Sequence, residues 1–264
     1  MDHQEKYIRQ IELPEIGVAG QERLRQARVL VIGAGGLGCS ALQYLASTGV
    51  GTLGIVDFDT IALSNLHRQI LYTIQDVGAP KVTVAKKRLA QLNPECVINT
   101  YNTLLSSKNA QEIIQDYDLI IDATDMIPVR YIINDSCLEL NKPFIYGAIY
   151  KYQGQVAVFN HQNGPTYRCL FPDPPKEKIQ NCDQRGVLPV LPGIIGLMQA
   201  TEAIKIITGL GTSLGGHLGL FDIATMQWER IKIKRKQPYK KSEVTELDRA
   251  SLISSNYEQY KQKQ

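Results

Sequence analysis

The chain has 264 residues, 44% of them hydrophobic and 21% charged, an ordinary globular composition with enough apolar material for a full core and one domain as the default. Its formal net charge of +3 is too small for a nucleic-acid partner held by bulk electrostatics, and the polar, charged residues 1–9 match neither a secretory signal nor a membrane span, so a cytoplasmic protein with no membrane partner is expected. The five cysteines include no Cys-x-x-Cys pair, which leaves neither a disulfide framework nor a four-thiolate zinc site to be read.

A first helical stretch is predicted over 21–26. Apolar strands follow at 29–32, 53–56, 97–101, 119–121, 144–146 and 156–159, and apolar spacings of three and four predict helices at 41–47, 82–92, 110–115 and 131–140. This alternation predicts an α/β fold, a Rossmann-like and mainly parallel sheet with helices on both faces, whose ligand lies at the carboxyl ends of the strands. Residues 160–192 lose periodicity in a Pro-, Gly- and Asn-rich stretch, the composition of a lid, a binding segment or a locally disordered loop. An apolar helix over 194–207 ends at Gly209, with Gly196 letting another element approach. Two C-terminal strands, 217–221 and 228–233, add an antiparallel extension; Ile231 and Ile233 alternate with Lys232 and Lys234, predicting one wet face.

The first strand runs into Gly33, Gly35, Gly36 and Gly38 and then into a helix, which is the form of a nucleotide-phosphate cradle: positive φ, close backbone approach and a helix N-terminus aimed at an anion. Alone, that spacing serves NAD, FAD and ATP equally well, or is a plain strand-to-helix turn. Asp57 ends the second strand, where a carboxylate bonds ribose hydroxyls; a nicotinamide-dependent oxidoreductase also wants it there. Asp59, the polar run Ser64-Asn65-Leu66-His67-Arg68-Gln69 and Lys81 at a helix start follow. Two cations near a phosphate cradle suit nucleotidyl transfer and have little place in hydride transfer. Asp125, just past the fourth strand, stands where a carboxylate faces a triphosphate with magnesium, although capping the next helix is an alternative.

Together with Tyr7–Ile11, Ala123-Thr124-Asp125, Tyr167–Leu170, Gly186–Leu188 and Gln199–Ala203, these runs resemble the ubiquitin-activating-type adenylyltransferases of the MoeB/ThiF/HesA group over nearly the whole length. The resemblance implies a single ATP-binding domain over 1–240, including the 160–192 loop, followed by a polar tail, 241–264. It implies ATP-dependent adenylation of the C-terminal glycine of a small ubiquitin-like sulfur carrier ending in Gly-Gly, giving an acyl-adenylate and pyrophosphate. It also assigns residues: Gly36 to the phosphates, Asp57 to the ribose, Ser64, Asn65 and Arg68 around the nucleotide, Lys81 on the phosphates and Asp125 with Mg2+. Arg9 would reach into the neighbouring site of a homodimer. The carrier and the pathway stay open, and any sulfur donor is expected to be a separate protein.

The chain departs from the group's pattern in its metal-binding thiols. Thr166 replaces the first cysteine of one zinc pair, leaving Cys169, and the later pair is missing after Arg235, so no zinc is expected. Met126 replaces the amide of the usual Thr-Asp-Asn. Cys182 falls where some relatives carry a thiol that bonds covalently to the carrier; a loop thiol beside Lys178 and Arg185 fits that use, and a spare loop cysteine fits equally well. A non-catalytic nucleotide-binding module and a tRNA-threonylcarbamoyladenosine dehydratase remain competing readings, the retained cations opposing the first.

Overall fold

The computed structural model describes residues 3–174 and 186–236. Two helices, α1 (His3–Ile11) and α2 (Gly17–Gln26), lead into β1 (Arg28–Ile32), α3 (Gly36–Ser47) and β2 (Thr52–Val56). Then come α4 (Lys81–Leu92), β3 (Val97–Tyr101), α5 (Ala110–Ile114), β4 (Leu119–Asp122), α6 (Ile127–Glu139), β5 (Phe144–Tyr150) and β6 (Gln153–Phe159). A short α7 (Tyr167–Leu170), the long α8 (Val190–Thr208), β7 (His217–Asp222) and β8 (Gln227–Lys232) complete the described residues.

The strands form one eight-stranded sheet in the order β3-β2-β1-β4-β5-β6-β7-β8. β3, β2, β1, β4 and β5 pair in parallel, and β6, β7 and β8 add antiparallel. The apolar runs of the central parallel strands fit their place: Val29, Leu30, Val31, Ile120 and Ile121 are fully buried, as a helix-covered parallel sheet demands. The winding direction reverses between β1 and β4, so a crevice opens beyond their carboxyl ends, the place where such sheets bind ligands.

On one face α8 packs against α3, and the contact is backbone-close: a Cβ on Gly196 would stand 2.2 Å from the Leu37 carbonyl oxygen. α8 is the one helix among the described residues long and apolar enough to cross a membrane; here Leu191, Ile195 and Ala203 are fully buried in the core. It starts at Val190, earlier than the spacing predicts, because Pro192 falls in the first turn, where no intrahelical N–H is needed. At the far edge, β8 corrects the prediction of one wet face, since all six of its residues are exposed. No strand among the described residues pairs with its outer edge, and only Ile233, just beyond it, turns inward. Lys232 and Lys234 suit such an edge, where charge discourages pairing with another chain.

Candidate active site

The glycine turn is shaped by contacts that exclude a side chain. Gly33 has φ +100°, and a Cβ there would lie 2.6 Å from the Ala123 carbonyl oxygen. Gly36 faces the Pro192 ring, 2.7 Å from where its Cβ would be, so the start of α8 forms one lip of the turn. Gly38, predicted with the other glycines of the cradle, is buried and is not among the residues lining the cavity. A Cβ on it would come within 1.9 Å of the Gly33 carbonyl oxygen, which makes it the residue that lets α3 close on β1.

The turn opens into a cavity of about 500 Å³. Gly33, Gly35, Gly36, Asp57, Asp59, Ser64, Asn65, Arg68, Lys81 and Asp125 all line it. Asp57 Oδ2 accepts the Ala34 N–H at 2.7 Å and Oδ1 accepts the Asp59 N–H at 2.8 Å. Each oxygen keeps a further lone-pair direction for a ligand hydroxyl. Burial raises the Asp57 pKa, against the opposing pull of Lys81.

Lys81 opens α4 as a buried cation, its Nζ 2.9 Å from Asp59 Oδ2. Burial disfavours its charge, yet Asp57, Asp59 and Asp125 outweigh burial and raise its pKa. Arg68 follows the short helical turn Leu63–Asn65, its N–H donating to the Asn65 carbonyl and its Nη1 to the Ser64 carbonyl, each at 3.0 Å. Asp125 is exposed to the cavity at the end of β4. It does not cap α6: Met126 takes that position, with no side-chain capping bond.

Phe58, Leu104, Leu105, Met126 and Val129 supply an apolar wall, and Gly147, Ala148, Ile149 and Val187 line another part of the cavity. The buried oxygens Asp59 Oδ1 and Gln69 Oε1 have no hydrogen-bond partner among the described residues, so open acceptors stand beside the glycine turn. Sequence reasoning misses Arg130 and the Gly147–Ile149 wall, and it picks out Gln69 only as part of the polar run 64–69, with no role of its own. Arg130 carries one usable signal, a cation five residues after Asp125 near the start of a helix.

Two further predicted residues, besides Gly38, lie apart from the cavity or outside the described residues. Arg9 is exposed on α1 and pairs with Glu12 at 3.2 Å, and the cavity of this chain does not include it. Cys182, with Lys178 and Arg185, lies outside the described residues, as does the 241–264 tail. Cys169 Sγ accepts backbone N–H groups from Thr166 and Lys236, each at 3.4 Å. Among the described residues no group of three or more His, Cys, Asp and Glu is placed to hold a metal ion.

A glycine turn at the switch point of a doubly wound sheet, opening into a cavity with a half-buried carboxylate and a buried lysine beside it, has the architecture of a nucleotide-binding α/β protein. The comparisons narrow that class: residues 7–242 match the ThiF family model, and the chain belongs to the ThiF family. It is 48% identical over 237 residues to a sulfur carrier protein adenylyltransferase of Thermus thermophilus, covering 88% of each chain. It is 51% identical over 230 residues to a probable molybdopterin-synthase adenylyltransferase of Porphyra purpurea, covering 86% of this chain and 60% of that one; this chain therefore spans only part of that relative. The fold is shared with E. coli MccB solved with MccA-N7isoASN, at a TM-score of 0.80 and 18% identity over 90% of this chain and 75% of that one.

Proposed function

We propose that this chain is an ATP-dependent adenylyltransferase acting on the C-terminal glycine carboxylate of a small ubiquitin-like sulfur carrier ending in Gly-Gly, in the cytoplasm and as a homodimer. The similarity to named sulfur-carrier and molybdopterin-synthase adenylyltransferases supports the activity and the carrier class. The observation that carries the reading is the convergence of Arg68, Lys81 and Asp125 on the cavity of the glycine turn. An oxidoreductase would leave these three without work.

The chemistry asks for this set. A C-terminal carboxylate, which ordinarily titrates at roughly 3.3–3.7, is already an anion at neutral pH, so no general base is required. One of its oxygens bonds to the α-phosphorus, the bond from that phosphorus to the bridging oxygen of the β-phosphate breaks, and pyrophosphate leaves with the electron pair. The obstacle is an anion approaching a polyanion. Backbone N–H groups of the glycine turn, Lys81 and Arg68 lower it by facing the phosphates, and Asp57 fixes the ribose.

Asp125 fits a magnesium ion, since this metal is commonly held by one or two carboxylates together with substrate phosphates; when bound, it supplies further neutralisation of phosphate charge. Gly147, Ala148, Ile149 and Val187 also line the cavity, and in this reading they receive the carrier's extended tail. ATP–pyrophosphate exchange with carriers ending in Gly-Gly tests the proposal. Exchange is expected with at least one carrier and falls by orders of magnitude, to a residual rate that can still be measured, in Asp125→Ala and Arg68→Ala; tight NAD binding without exchange on any carrier overturns it. Cys182→Ser is expected to leave exchange intact, and a loss of sulfur loading in that variant assigns the thiol to the later step.

A further inference from the structure

The turn that carries Asp125 into the cavity is gripped at one residue, Thr124, from both sides. Asp122 Oδ1 accepts the Thr124 N–H at 3.2 Å, and Arg130 Nη2, from the first turns of α6, donates to the Thr124 carbonyl at 2.9 Å. Thr124 Oγ1 then accepts the Met126 N–H at 3.1 Å, so both flanks of Asp125 are tied. From behind the sheet, the fully buried Gln199 donates to the Asp122 carbonyl at 2.7 Å and to the Ile145 carbonyl at 3.2 Å.

Arg130 is itself fixed. Its guanidinium lies 5.0 Å from the centre of the Tyr146 ring, and Nη1 donates to the Tyr146 hydroxyl at 3.5 Å. That hydroxyl donates onward to Gln155 Oε1 at 3.0 Å. Arg130 Nε and Asp122 Oδ2 stand 3.8 Å apart, with side chains 11% and 0% exposed, and neither atom has a hydrogen-bond partner among the described residues. A buried, incompletely bonded ion pair is a poor source of stability, because its desolvation offsets its attraction and apolar side chains of similar size often do better. The pair's geometry instead converges on Thr124.

We propose that Arg130 is a positioning residue for adenylation, acting through the Thr124 carbonyl to hold Asp125 at the phosphates. The inference rests on the proposed role of Asp125. It predicts that the effects of Arg130 and Asp125 are not independent, because removing Asp125 leaves nothing for Arg130 to place.

The test is a double-mutant cycle in the full chain. Arg130→Met is combined with Asp122→Asn, which retains an acceptor for the Thr124 N–H and avoids a stranded buried carboxylate; Asp122→Asn alone is the reference. Against that reference, Arg130→Met is expected to lower kcat of ATP–pyrophosphate exchange by about 30-fold, the scale of a displaced catalytic group, with KM for ATP changed by less than about threefold. In an Asp125→Ala background the same step is expected to cost less than about twofold. Hydrogen exchange of the Met126 amide is expected to speed up by about tenfold or more, while the Leu30 and Ile120 amides of the central strands keep their protection.

Equal losses in both backgrounds overturn the proposal, since Arg130 would then act on substrate independently of Asp125. An unchanged kcat, or an unchanged Met126 exchange rate, overturns it as well. If the wild-type chain shows no exchange with any carrier, the functional reading has failed, and the Met126 amide still reports whether Arg130 holds the turn.

Discussion

Lys81 Nζ lies 2.9 Å from Asp59 Oδ2, while the second oxygen of the same carboxylate, Oδ1, is buried without a hydrogen-bond partner among the described residues. Asp59 thus pairs with the lysine proposed to face the phosphates. Asp59→Asn keeps the shape and removes the counter-charge from a largely desolvated cation. The variant is expected to lose roughly 3 kcal/mol of stability, the scale for breaking a buried pair, and about tenfold in kcat/KM for ATP as Lys81 is released from its place. Urea unfolding and exchange kinetics check the two arms separately; full stability with full activity would show that Lys81 needs no anchor.

Gly196 and Gly209 make a contrast within one helix and its cap. A Cβ at Gly196 would meet the Leu37 carbonyl oxygen at 2.2 Å, whereas one at Gly209 meets nothing within 4 Å. Gly196→Ala must push α8 off α3 and is expected to cost about 3 kcal/mol. Gly209→Ala bears only the strain of its left-handed backbone, φ +79°, about 1 kcal/mol. Thermal unfolding should rank them in that order, and equal losses would mean that the α3–α8 contact yields easily.

The sheet is legible in the sequence because its central strands are short runs of β-branched and aliphatic residues bounded by turns, and burial on both faces leaves such runs no polar alternation to obscure them. β8 misleads for the reason that makes it an edge: alternation over Ile231 and Lys232 implies a buried face only if something covers that face, and no element among the described residues does. In the site, Gly33, Asp57 and Lys81 can be found because each stands at the end of a strand or the start of a helix. The hold on Asp125 cannot. Gln199 is 77 positions from Asp122, and nothing local in an apolar helix says that its one amide reaches across the sheet. Gly38 has the spacing of a phosphate glycine, yet its contact is with the Gly33 carbonyl, which only the folded turn displays.

Asp122 gives the fold a pH dependence of unusual sign. Burial pushes its carboxyl up to about 7, against the pull of Arg130 and the Thr124 N–H. The folded state therefore binds the proton more tightly than the unfolded chain, whose carboxyl keeps an ordinary value near 4. Between these values the native state holds more protons, so the contribution of Asp122 to stability is full below about pH 4 and declines as pH rises to about 7. Asp122→Asn removes that decline. Unfolding free energies of the two proteins from urea titrations, taken from pH 5 to pH 8, should diverge steadily in favour of the variant, by roughly 1–3 kcal/mol in all; parallel curves would show that Asp122 stays ionised throughout.

Arg9 is exposed, it pairs with Glu12 one turn along the same helix, and it lies outside the cavity of its own chain. If it serves the partner's site in a homodimer, Arg9→Ala should leave stability within about 0.5 kcal/mol of wild type, because an exposed pair contributes little, while exchange activity collapses. Lys81→Ala should be inactive for a different reason, having lost a group within its own cavity. Mixing the two inactive proteins under conditions that exchange subunits then rebuilds a site with Lys81 from one chain and Arg9 from the other. Half of the dimers at an equal mixture are mixed, and each holds one intact site of its two, so about one quarter of wild-type turnover is expected. Activity that stays at zero after verified subunit exchange would place Arg9 outside the reaction or within its own subunit, and a fully active Arg9→Ala variant would remove it from the mechanism altogether.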